Sequence, residues 1–129
     1  MRRLPQALGF AAVLVLTSLH EAPAFSGRFS WSGVRACGRI SPAFTIQDAP
    51  KGTESLRFMM RDEDAPNFQH GGSTIPYNGS GRVPEGAIEY IGPCPPAGTI
   101  HRYVWTIEAL DRSGKIVART TAEGRFPVR

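Results

Sequence analysis

His101-Arg102-Tyr103-Val104-Trp105-Thr106-Ile107-Glu108-Ala109-Leu110 decides the fold class. Tyr103, Trp105, Ile107 and Ala109 alternate with Val104, Thr106, Glu108 and Leu110, the period-2 pattern of a strand. Asp111-Arg112-Ser113-Gly114 follows as a hairpin-type turn, and Lys115 to Thr121 returns as a second strand. Upstream, Ser55 to Arg61 alternates in the same way, with Leu56, Phe58 and Met60 on one face. Ala43 to Ile46, Ala87 to Ile91, the Phe29/Trp31 alternation and a last edge segment at Phe126 to Val128 read as shorter strands. Asp62 to Ser73 and Gly79 to Gly86 read as loops. Apolar residues nowhere keep helical spacing beyond two turns. The expected fold is mainly β: a small antiparallel sandwich or open barrel with a central sheet.

The first 24 residues stand apart. Arg2 and Arg3 precede an apolar run from Leu8 to Leu19, which is short for a bilayer span. Ala22-Pro23-Ala24 is a small-x-small motif, so residues 1–24 read as a secretory signal peptide and 25–129 as a single domain. A periplasmic or secreted protein with no transmembrane segment after signal removal is the expectation. The chain carries net charge +4, but its basic residues are scattered and do not interleave with aromatics as a nucleic-acid groove requires. Both cysteines, Cys37 and Cys94, lie in the exported part, where a disulfide between them is the default. No His or Cys stands at zinc spacing beside Cys94.

Two segments carry chemistry. Asp62-Glu63-Asp64-Ala65-Pro66 sits at a strand exit, and Gly92-Pro93-Cys94-Pro95-Pro96 stiffens the approach to His101-Arg102-Tyr103. Residues i and i+2 share a strand face, so His101 and Tyr103 point the same way, as do Asp62 and Met60. If the two strand ends are neighbours, acids, an imidazole and a phenol converge. A carboxylate would then fix the His101 tautomer and favour its imidazolium form. An imidazolium and a phenol O–H suit an oxyanion. Two aspartates repel a plain anion, so a zwitterion, with phosphate toward His101 and ammonium toward an aspartate, fits better. Each segment also has an ordinary reading, as an acidic turn and as a structural strand start. Ser73 and Ser80 lack the strand–turn–helix elbow of a nucleophile. Asp62, Asp64 and His101 suggest no specific metal geometry. Neither catalysis, metal nor cofactor is therefore expected.

At these residues the chain resembles the phosphatidylethanolamine-binding protein family, in its bacterial Raf-kinase-inhibitor-like branch. Asp62, Asp64, Ala65 and Pro66 match the family's Asp-x-Asp-Ala-Pro. Gly92, Pro95, Pro96, His101, Arg102 and Tyr103 match its Gly-x-x-Pro-Pro loop and His-Arg-Tyr. The resemblance covers Ser41 to Asp111. It implies a central antiparallel sheet and a small pocket for a phosphorylated headgroup or other anion, lined by Asp62, Asp64, His70, Pro95, His101 and Tyr103. Gly71 stands where the family has a tryptophan after its second histidine, which implies a shallower, more open pocket around His70. The resemblance also suggests a cis Ala65–Pro66 bond. The function it implies is non-enzymatic binding of a small anionic or zwitterionic phosphorylated ligand. The alternative is an inhibitor or interaction protein acting on a periplasmic kinase, protease or other hydrolase.

Overall fold

Residues 101–110 sit in the interior of a sheet: one face packs on the core and both edges find partners. In the computed structural model, which describes residues 1–6, 8–19 and 23–129, they are flanked on both sides by antiparallel neighbours. The strands are β1 (Ser26–Phe29), β2 (Phe44–Gln47), β3 (Ser55–Asp62), β4 (Gly72–Pro76), β5 (Arg82–Val83), β6 (His101–Leu110) and β7 (Ile116–Phe126). They form two sheets, ordered β1-β2-β5 and β4-β3-β6-β7, with every pairing antiparallel. No helix occurs among the described residues. The mainly β expectation holds.

The core lies between the sheets. Leu56, Phe58 and Met60 of β3 and Tyr103, Trp105, Ile107 and Ala109 of β6 are buried, and Phe44, Ile46 and Val83 face them from the smaller sheet. Trp105 is the hub. Its ring lies 5.2–6.4 Å from those of Phe29, Trp31, Phe44, Phe58 and Tyr90. Burying side chains of this size stabilises the fold by about 1.5–3 kcal/mol each. The opposite face of the larger sheet is polar. Arg57, Glu108 and Arg119 stand in one row across β3, β6 and β7, with Glu108 accepting from both arginines at 2.6–3.0 Å. Those two guanidinium bonds hold the Glu108 carboxyl below its ordinary 4.5, although burial opposes them.

Several segments differ from expectation. Ala87–Ile91 is no strand: the Ile88 N–H donates to Ser41 Oγ and the Ile91 N–H to the His70 carbonyl. Ile88 and Tyr90 are still buried in alternation, so the burial pattern is there but the ladder partner is not. Conversely, β4 begins at the end of the first expected loop and β5 lies inside the second; neither has the apolar alternation that marks a strand. The chain leaves β1 after Phe29, and Trp31 turns inward with its carbonyl accepting from Val34. β7 continues past Thr121 to Phe126, because its partner β6 extends to His101. The cis bond is Phe126–Pro127, whereas Ala65–Pro66 is trans. The apolar run 8–19 is exposed and forms no helix. Ala22 of the expected cleavage motif lies outside the described residues. Among the described residues no helix is long and apolar enough to cross a membrane.

Gly72 shows why β4 can pair at all. Its φ is +157°, and a Cβ there would collide with the Phe58 backbone carbonyl of the neighbouring strand. Gly72→Ala is expected to pry β4 from β3 and cost about 2 kcal/mol. Urea unfolding with amide exchange across Leu56–Met59 checks it; unchanged protection would refute the close approach.

Candidate functional site

Antiparallel pairing of β3 and β6 brings the end of one against the start of the other, with Asp62 directly opposite Tyr103. Inward parity places the Asp62, His101 and Tyr103 side chains on one face. The predicted convergence is therefore present, although Asp62 and His101 are 39 residues apart in sequence.

Asp62 is buried, and both its oxygens are committed. Oδ2 lies 2.7 Å from His101 Nδ1, while Oδ1 accepts from the Asp64 and Ala65 N–H groups at 2.9 and 3.1 Å. Burial pushes its carboxyl up, but the His101 bond, the Asp64 N–H and the His101 charge outweigh burial and bring it below its ordinary 3.8. Nδ1 of His101 is thus the protonated nitrogen facing Asp62, and Nε2 has no protein partner among the described residues. Asp64 is exposed and accepts from the Arg102 N–H at 2.8 Å, tying the acidic turn to β6.

Tyr103 is fully buried; its hydroxyl faces the Asp62 carboxylate and the Cys94 backbone N–H but completes no hydrogen bond of ordinary length among the described residues. Burial first, then the Asp62 charge, raises the phenol above its ordinary 10. A buried hydroxyl without a partner is costly, on the order of 1–3 kcal/mol. His70 joins this group: its ring meets Tyr103 edge-on at 5.5 Å, and its Nδ1 donates to the Ile91 carbonyl at 2.7 Å. Sequence reasoning missed Phe68, half exposed, whose ring packs 4.6 Å from His70. Its place two residues before the histidine was the available signal. It also missed the Ile91 carbonyl, which no side-chain pattern can reveal.

The site is more closed than expected. Asp62, His70 and Tyr103 are all buried, and the His101 side chain is 15% exposed. Four surface cavities of about 360–680 Å³ lie elsewhere, and none is lined by these residues. The missing tryptophan after His70 is offset by a loop folded over the site. The Cys37–Cys94 disulfide, with Cys37 N–H bonded to the Pro93 carbonyl and Gly92 N–H to the Gly38 carbonyl, straps residues 91–94 down. Pro95 is half-buried in that loop and makes no polar contact with the cluster. Donor atoms of Asp62, Asp64 and His101 all lie within 4.8 Å of one another. The bonds just described already engage both Asp62 oxygens, Asp64 Oδ2 and His101 Nδ1.

Comparisons with known proteins agree on one family. The sequence model described as phosphatidylethanolamine-binding protein matches residues 18–126. The UPF0098 protein YbhB of Escherichia coli K12 is 30% identical over 122 residues, covering 76% of this chain and 77% of its own length. A UPF0098 protein of Methanothermobacter thermautotrophicus is 31% identical over 93 residues, covering 56% of this chain and 61% of its own length. Among solved structures, a phosphatidylethanolamine-binding protein homologue from Chlamydia trachomatis superposes with TM-score 0.55 at 21% identity, covering 81% of this chain and 99% of its own. Escherichia coli YbcL superposes with TM-score 0.52 at 20% identity, covering 70% and 82%.

Proposed function

The chain belongs to the phosphatidylethanolamine-binding protein family, and on that premise we propose that it is an exported, non-enzymatic binding protein for a small phosphorylated zwitterion. Residues 1–24 are its export signal and 25–129 its working domain. The observation that carries the reading is the Tyr103 hydroxyl, buried beside the Asp62–His101 pair and near the Cys94 N–H, where it completes no hydrogen bond of ordinary length among the described residues. A phosphoryl oxygen accepting from that hydroxyl and from His101 Nε2 satisfies both. Asp64 supplies the negative charge at the rim for an ammonium group. Asp62 has a supporting part, since its oxygens orient His101 and the turn. Phe68, half exposed and packed on the His70 ring, stands at the rim.

This division of labour differs from acid–base catalysis. Among the described residues no serine or cysteine stands in hydrogen-bond contact with His101 to act as a nucleophile. Calorimetric titration with O-phosphorylethanolamine, inorganic phosphate and ethanolamine tests the proposal. The zwitterion should bind more tightly than either fragment, and Tyr103→Phe should weaken it about tenfold, the worth of one hydrogen bond to a charged group. Equal affinity of wild type and Tyr103→Phe would refute the assignment of the phenol. Absence of heat with all three compounds would refute the function.

A further inference from the structure

The segment that covers the candidate site is a stiff plate between two glycines. Pro93, Pro95 and Pro96 each fix one φ and stiffen the plate. Gly98 at its far end has φ +81°, in the left-handed region, with open space around it. Gly92 at its near end lies so close to the Gly38 carbonyl that a Cβ would collide. Beside and within the plate, two backbone groups meet the site: the Ile91 carbonyl accepts from His70 Nδ1, and the Cys94 N–H faces the Tyr103 hydroxyl. Asp62, His70 and Tyr103 are buried, and none of the four surface cavities is lined by them. A cover must therefore lift before a ligand reaches the group.

On the reading of that group as a binding site, we propose that residues 92–98 are its lid and that the Cys37–Cys94 disulfide is the lid's fastener, released by a dithiol reductant and closed again by oxidation. Cys94 joins the two roles, since its N–H faces the phenol while its sulfur holds the crosslink. Both cysteines are exposed, although Gly92 and Pro93 beside Cys94 are buried. The crosslink thus lies on the outside of the lid, and exposed disulfides are the ones that reductants reach. Cys37 has φ +59°, a backbone region that residues other than glycine seldom occupy. That conformation is held by the crosslink and by the Cys37 N–H bond to the Pro93 carbonyl, and reduction removes the first restraint.

In the release step a thiolate of the reductant attacks Cys94 Sγ, the S–S bond breaks, and its electron pair leaves on Cys37 Sγ. The second thiolate of the reductant then displaces Cys94 Sγ from the mixed disulfide. The reductant is oxidised to a disulfide, and the two protons it gives up end on the Cys37 and Cys94 thiols. Cys37 is the leaving sulfur because Arg35 and Arg39 flank it in the chain. Both are exposed and without a carboxylate partner among the described residues, so their charge favours its thiolate. Once reduced, the lid is held by the backbone bonds Cys37 to Pro93 and Gly92 to Gly38 and by the burial of Pro93. Contacts of this number break and re-form locally without unfolding the sheets.

Purified wild-type protein, compared oxidised, reduced with dithiothreitol and re-oxidised, tests this. Amide exchange at Cys37 and Gly92 should rise about tenfold or more on reduction and depend little on urea, because lifting a lid exposes little surface. Acylation of the His70 ring by diethyl pyrocarbonate, an access probe that needs no ligand, should accelerate with it. O-phosphorylethanolamine should associate faster by about the same factor, since the rate follows the open fraction, and re-oxidation should reverse all three changes. Exchange at Cys37 and Gly92 with the urea dependence of the β6 amides would make the crosslink a staple of the whole fold and overturn the proposal. Unchanged acylation of His70 in the reduced protein would overturn it as well. Faster, urea-insensitive acylation in a protein that binds none of the phosphorylated compounds in either state would uphold the lid and refute the headgroup reading.

Discussion

Replacing Cys37 and Cys94 together by serine is expected to remove about 4 kcal/mol of stability, the chain-entropy value for a loop of this length. The crosslink joins residues 57 apart, more than half of the strand-bearing region. A domain of this size commonly has a total stability of about 5–15 kcal/mol, so the loss is a large share of it. Urea unfolding of the double variant, and of wild type with reductant, should show the same fall in midpoint. An unchanged midpoint would mean that the unfolded chain gains nothing from release. The effect should also reach the candidate site. The crosslink and the backbone bonds Cys37 to Pro93 and Gly92 to Gly38 hold the segment that supplies the Ile91 carbonyl to His70. Amide exchange around His70 should accelerate in the variant more than in β6.

Asp62→Ala is expected to cost about 3 kcal/mol or more, because it breaks a buried carboxylate–imidazole pair from one side. It leaves His101 Nδ1 without an acceptor and strips the Asp64 and Ala65 N–H groups of theirs. The acid limb of stability provides an independent check. The folded-state pKa of Asp62 lies below the ordinary 3.8, so in acid the unfolded chain takes up protons first. Its contribution is complete above that ordinary value and is lost as pH falls through the depressed one. Glu108 has the same sign below its ordinary 4.5. Asp62→Asn should therefore flatten the acid limb while Glu108→Gln flattens a separate part of it. An Asp62→Asn variant with the wild-type acid slope would contradict the bond to His101.

The strands that position the site were legible because alternation survives whenever one face of a sheet is buried. Leu56, Phe58, Met60 and then Asp62 run in a single parity, as do His101, Tyr103, Trp105 and Ile107, and all face inward. β4 was not legible because Gly72-Ser73-Thr74-Ile75-Pro76 carries a single large apolar side chain and so shows no alternation, and β5 because two residues display no period. Ala87–Ile91 misled for the opposite reason: Ile88 and Tyr90 bury in alternation while their backbone groups bond to Ser41 and His70 instead of a sheet. The meeting of Asp62 with His101 could be read from motif order and parity. The closure over it could not, since it depends on backbone carbonyls and on where one crosslink pulls a proline loop.

The row of guanidinium and carboxylate groups on the outer side of the larger sheet has a bearing on how this sequence can drift. Because that side meets water with its own counter-charges, no further layer of chain is required to shelter it. Along the middle strand, freedom to vary is consequently comb-like: odd positions answer to packing, while of the even positions Arg102, Val104 and Thr106 are only partly buried. Glu108, clasped from both flanks, and Leu110, buried at the strand's end, are the even teeth held fast.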